Sequence, residues 1–109
     1  MATDEKINQL QIIEQNLQQF LGQKQQFQSQ FVEVETALKE LQTTETAYKI
    51  IGNIMVLSKK DALEKDLREK KERLELRIST LEKQETKLRD KAKAIRQEVV
   101  HEMEKSEKK

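Results

Sequence analysis

The chain has 109 residues, 38% of them charged and 35% apolar, with two glycines and no proline, cysteine or tryptophan. Twenty-one basic against twenty acidic side chains leave a net charge of +1, which argues against a protein whose main work is gripping nucleic-acid phosphates. The length allows one domain at most, the lack of cysteine excludes a disulfide framework or thiolate metal site, and the composition suits long helices with a narrow buried seam.

The start, Met1 to Lys6, is polar and has no basic head followed by an apolar run. No stretch approaches the roughly 20 apolar residues of a membrane span. The chain is therefore read as soluble and cytoplasmic, with no membrane partner.

A first helix is expected over 4–45, with Thr3 or Asp4 as its cap. Steps of three and four trace a seam through Leu10, Ile13, Leu17, Phe20, Lys24, Phe27, Phe31, Val34, Leu38, Leu41, Glu45 and Tyr48, broken only at Lys24 and Glu45. This is the heptad pattern of a coiled coil. The other faces are rich in glutamine, with ten between residues 9 and 30.

The composition then changes. Ala47-Tyr48-Lys49-Ile50-Ile51-Gly52-Asn53-Ile54-Met55-Val56-Leu57-Ser58 places Gly-Asn between two β-branched runs, which reads as a β-hairpin over 46–58 with a two-residue turn. In that register Ile51 faces Ile54 and Lys49 faces Val56 on one side, while Ile50 faces Met55 and Tyr48 faces Leu57 on the other. Both sides are apolar, although a half-exposed hairpin should alternate apolar with polar. A lone hairpin is marginal in water and its edges are unpaired. Several copies, or copies plus a partner, are expected to merge their hairpins into a shared sheet or barrel. The competing reading tucks the patch into the end of its own coiled coil.

A second helix is expected over 61–105, with Asp61 and Glu64 as a capping box. Leu67, Leu74, Leu81, Leu88 and Ile95 recur every seven residues, and Ile78, Ala92 and Val99 fill the alternate positions, with Lys71 and Glu85 as breaks. Glu64–Arg68, Asp66–Lys70, Glu69–Arg73 and Glu85–Arg89 are spaced as i,i+4 ion pairs. The polar tail from Glu104 is expected to fray.

A fold-back at Gly52–Asn53 makes facing residues sum to about 105. That pairs Leu38 with Leu67, Phe31 with Leu74, Phe27 with Ile78, Leu17 with Leu88 and Leu10 with Ile95. It also brings Lys24 near Glu85. The fold class expected is mostly α: a long antiparallel two-helix coiled coil joined by one β-hairpin that oligomerises into a β-barrel platform. A whole-heptad slip also meshes apolar with apolar, so the spacing alone leaves the register open.

The connector, Ala47 to Val56, resembles the Tyr-Lys-x-x-Gly-x-x-x-Val connector of prefoldin beta-type subunits. The flanks fit as well: a glutamine-rich first helix, then Lys60-Asp61-Ala62-Leu63 opening a helix with Arg77, Leu81, Glu82 and Gln84-Glu85. The resemblance covers nearly the whole chain, 1–109 is read as a single domain, and the compact cysteine-free form looks more archaeal than eukaryotic. Alpha-type subunits carry two hairpins, and this chain has room for one. Ala47 stands where a β-branched residue is common, and Leu57-Ser58 replaces a more basic strand end.

The resemblance implies a hexamer of two alpha-type and four beta-type subunits. The hairpins would form the barrel platform, and the coiled-coil tips would hold unfolded proteins without ATP and pass them to a group II chaperonin. The assembly residues would be Tyr48, Ile50, Ile51, Gly52, Asn53, Ile54, Met55, Val56 and Leu57. Apolar residues off the seam cluster toward the free ends, at Ile7, Ile12, Leu21, Val100 and Met103. The client-binding tips are therefore expected at Ile7, Leu10, Ile12, Ile13, Leu17, Ile95, Val99, Val100 and Met103.

His101 stands alone, too few ligands for a metal. The carboxylates lie on solvated helix faces beside basic neighbours, and no nucleophile–base pair or glycine-rich phosphate loop is present. No enzyme, cofactor or metal is expected. The run Lys87–Arg96 holds five positive charges and one negative; it is read as a solvated helix face, with contact to nucleic acid or to an acidic chaperonin face as the alternatives. The competing function is a structural coiled-coil dimer or scaffold that handles no clients.

Overall fold

The structure, a computed structural model, describes residues 2–107. Its elements run α1 (Ala2–Thr43), β1 (Ala47–Ile51), β2 (Ile54–Ser58) and α2 (Lys60–Glu107). Met1, Lys108 and Lys109 lie outside the described residues, so the tail expectation is followed only to Glu107.

Helix α1 starts before the residues expected to cap it. Thr3 and Asp4 lie inside the first turn, and the Thr3 hydroxyl donates to the Glu102 carboxylate instead. Asp4 and Glu5 still favour the positive end of the helix. The helix stops without glycine or proline. The hydroxyls of Thr43 and Thr44 both donate to the Glu40 carbonyl, at 3.1 and 2.9 Å, satisfying an acceptor that the last turn leaves open. Glu45 therefore falls beyond the helix and Tyr48 lies in β1. The heptad extends no further than Leu41, because the three threonines at 43, 44 and 46 are poor helix formers.

Helix α2 begins at Lys60, with the Leu63 amide donating to the Lys59 carbonyl at 3.0 Å. The capping box does not form. Asp61 is already inside the helix, and the Glu64 carboxylate is engaged by Arg68 at 2.8 Å and Gln42 at 3.3 Å. Of the four expected i,i+4 pairs, Glu64–Arg68 and Glu85–Arg89 close, at 2.8 and 3.5 Å. Asp66–Lys70 and Glu69–Arg73 are not among the ion pairs of the described residues.

Two compact units are present: residues up to Lys24 with those from Thr80 onward, and residues Gln25–Ser79. In the first, Ile13, Ala92, Ile95 and Val99 form a buried cluster with Leu10, Leu17 and Leu88 packed on it. In the second, Val34, Leu41, Ala47 and Leu74 are buried. No expected seam position from Leu10 to Leu41 or from Leu67 to Val99 is exposed. Each helix thus buries one heptad stripe and leaves the rest to solvent, the pattern of a coiled-coil seam.

The register is fixed by cross-helix contacts within each unit. Lys24 meets Glu85 at 3.2 Å, and Thr3 and Lys6 meet Glu102. Lys71 lies 5.6 Å from the Phe31 ring centre, and Arg77 lies 5.5 Å from that of Phe27. The sums of these pairs run from 102 to 109 and centre near 105, whereas a heptad slip would centre them on 98 or 112. Glu85 explains the choice. It is only 4% exposed, and a slip would leave its charge buried without Lys24, which is far costlier than exchanging one leucine for another.

The strands pair antiparallel as Ala47–Ser58, Tyr48–Leu57, Lys49–Val56, Ile50–Met55 and Ile51–Ile54, the expected register. Gly52 has φ +60° and Asn53 does not have positive φ. Positive φ at the first turn residue alone marks a type II′ turn, whose twist matches that of paired strands.

Candidate functional site: the hairpin and the helix ends

Side chains alternate across the two-stranded sheet. One face carries Ala47, Lys49, Ile51, Ile54, Val56 and Ser58; the other carries Tyr48, Ile50, Met55 and Leu57. Ala47 is buried and Ser58 half-buried, which anchors the first face at its base. Beyond that base nothing covers the sheet. Tyr48, Ile50, Ile51, Ile54, Met55, Val56 and Leu57 are 42% to 69% exposed, and Gly52 and Asn53 at the turn are exposed too. Tucking into the chain's own coiled coil is thereby excluded in this conformation. Thirteen large apolar residues are exposed among the described residues, and seven of them lie in this ten-residue span. Leaving them in water forgoes on the order of 10 kcal/mol of burial. Both sheet edges are also unpaired, so donors and acceptors stand ready for further strands.

The residues expected at the tips divide. Ile13, Ile95 and Val99 are in the buried cluster, with Leu10 and Leu17 packed on it. Ile13, Ile95 and Val99 reach solvent only if the helices part, whereas Leu10 and Leu17 are partly exposed already. Ile7 is half-buried, while Ile12, Val100 and Met103 are 56%, 53% and 51% exposed.

A polar cluster that the heptad reading missed ties the helix ends together. The Lys6 ammonium reaches Glu98 at 3.3 Å and Glu102, and Glu102 also accepts from Thr3. The hydrogen bond from Lys6, then that from Thr3, holds the Glu102 carboxyl below the usual carboxylate range, and the bond to Glu102 raises Lys6. The signal was present in the sequence, since Thr3 and Glu102 sum to 105, but these positions are polar and a search for apolar steps passes over them.

Among the described residues, no group of three or more histidine, aspartate or glutamate side chains is placed to hold a metal ion. No helix is long and apolar enough to cross a membrane.

The family model described as prefoldin subunit matches residues 4–106. The chain is 44% identical over 87 residues to a prefoldin subunit beta of Archaeoglobus fulgidus, covering 77% of this chain and 75% of that one. It is 35% identical over 100 residues to the prefoldin subunit beta of Pyrobaculum islandicum, covering 89% and 80%. The crystal structure of the prefoldin beta subunit from Thermococcus strain KS-1 superposes with a TM-score of 0.84 at 34% identity, covering 90% of this chain and 89% of that chain.

Proposed function

The chain belongs to the prefoldin subunit family, a chaperone family, and we infer that it acts as a beta-type subunit of an ATP-independent holdase. The observation that carries this reading is the uncovered hairpin, apolar on both faces and open at both edges. A chaperone subunit whose hairpins join those of its neighbours has a use for such a surface; a simple two-helix scaffold has none.

In this reading the assembly is a hexamer of two alpha-type and four beta-type subunits in the cytoplasm, with the hairpins merged in a barrel platform. Unfolded proteins are held at the helix ends by Ile12, Val100 and Met103, with Ile7 beside them. The seam residues Leu10, Ile13, Leu17, Ile95 and Val99 join when the helices part. Weak contacts at several copies sum by avidity, and flexible aliphatics with a methionine suit varied partners. Clients then pass to a group II chaperonin.

The test is to purify the tagged chain from its native cells and weigh the intact complex. A hexamer with a second, larger coiled-coil subunit is expected; a bare homodimer overturns the reading. Replacing Ile12, Val100 and Met103 together by serine should abolish aggregation suppression and leave the subunit composition of the complex unchanged. Full suppression by that variant would rule those residues out.

A further inference from the structure

Arg89, Lys93, Arg96, Val100 and Met103 follow one another by steps of four, three, four and three along α2. That spacing puts all five on one face of the helix. All five are exposed, Arg89 with 68% of its side chain accessible. Arg89 pairs at 3.5 Å with the buried Glu85, and Lys93 and Arg96 make no ion pair with any described residue. The face is thus a continuous stripe: three cations, then two apolar side chains. Arg96 and Val100 share a shallow depression with Gln97, His101 and Glu104.

The surroundings leave the basic half of the stripe positive, while around its apolar half stand Glu98 and Glu102, both engaged by Lys6, and Glu104. From Lys83 to Arg96 there are six basic residues against Glu85 and Asp90. Glu85 is buried between Lys24 and Arg89, and Asp90 lies on a neighbouring face. On α1, from Ile7 to Gln23, Glu14 is the only charged residue. The stripe holds no aromatic ring on which a nucleic-acid base could stack, and its two apolar members have no role on a phosphate backbone.

We propose that this stripe selects the class of client: an extended segment in which acidic residues adjoin apolar ones, its acids on Arg89, Lys93 and Arg96 and its apolar side chains on Val100 and Met103. The stripe is about 21 Å long at 1.5 Å per residue, a length that about six residues of extended chain cover. The inference rests on the holding function proposed above and gives it a preference by charge.

The test uses the assembled complex and three fluorescent peptides of equal length and equal apolar content, interspersed with glutamate, glutamine or lysine. The glutamate peptide should bind about tenfold more tightly than the lysine peptide at low salt, as expected for three exposed ion pairs of ordinary strength. That margin should shrink as salt rises. It should vanish in R89Q/K93Q/R96Q, persist in R89K/K93R/R96K, and leave the glutamine peptide's affinity unchanged in both variants. Circular dichroism checks that both variants are folded. Equal binding of the glutamate and lysine peptides, or a preference that survives the glutamine variant, overturns the inference while the holding function stands. Binding of none of the peptides overturns both. A single-stranded oligonucleotide of matched charge that binds as tightly, and is released by the same variant, makes the stripe a general polyanion surface and overturns the client assignment.

Discussion

Lys24 and Glu85 show how one pair of side chains can specify a register. Every other seam position in their compact unit is apolar and tolerates exchange with its heptad neighbour. Glu85 tolerates none, because its carboxylate is buried and meets Lys24 at 3.2 Å. Removing Lys24 leaves that charge with Arg89 at 3.5 Å. Lys24→Ala should therefore destabilise the chain by about 2 kcal/mol, toward the low side for a broken buried pair because Lys24 is partly exposed and Arg89 remains. The double variant K24L/E85L should melt no lower than the wild type yet lose its unique register. Cysteines placed at positions 17 and 88 measure this directly, in a chain with none of its own. They should cross-link efficiently in the wild-type background and poorly in the double variant. Equal cross-linking would mean that packing alone sets the register. Gly52 is decisive in another way: its φ of +60° is what lets β1 turn into β2 within two residues.

The paired ends of α1 and α2 respond to pH through Glu102 and Lys6. The Glu102 carboxyl is held below its ordinary value by Lys6 and Thr3. Its contribution is complete above the unfolded carboxyl's pKa, about 4.3, and is lost as pH falls through the lowered value. Lys6 is raised, so its contribution is complete below the ordinary lysine value and is lost only as pH rises past the raised one. Pairing of the ends should hold from about pH 5 to pH 10 and loosen in acid. Amide protection factors in the first turns of α1 should drop between pH 6 and pH 3. In Glu102→Gln they should be low at pH 6 and change little on acidification. A wild-type profile in that variant would assign the end pairing to the apolar residues alone.

For the assembly proposed above the hairpin should matter most. Tyr48, Ile50, Met55 and Leu57 form a face without a charged side chain, and it is exposed. Replacing Ile50 and Leu57 with lysine puts two charges there and costs little in the isolated chain, where both residues already meet water. The expected result is unchanged helical circular dichroism with dissociation of the complex, read by native mass. An intact complex would show that this face is not the one that assembles.

The two helices, the hairpin and its turn were legible in the sequence, because heptad spacing and Gly-Asn between β-branched runs are local signals that neighbouring residues set among themselves. The all-apolar connector was legible too, since its two faces follow from alternation alone. The helix ends were not. Thr3, Asp4, Asp61 and Glu64 read as caps, but Thr3 and Glu64 bond to groups on the other helix, a competition that no local rule contains. Which apolar residues near the ends stand off the seam was legible, but whether the seam beside them is closed was not. Ile12 and Ile13 are adjacent and chemically identical, yet one is 56% exposed and the other 5%. Spacing assigns Ile13 to the seam, but only packing against Ala92, Ile95 and Val99 shows that the seam there is closed. A heptad repeat fixes which side chains meet a partner helix; it does not fix whether that helix is present and in register at a given turn. That depends on long-range contacts such as Lys24–Glu85, which exist only once the chain has folded back on itself.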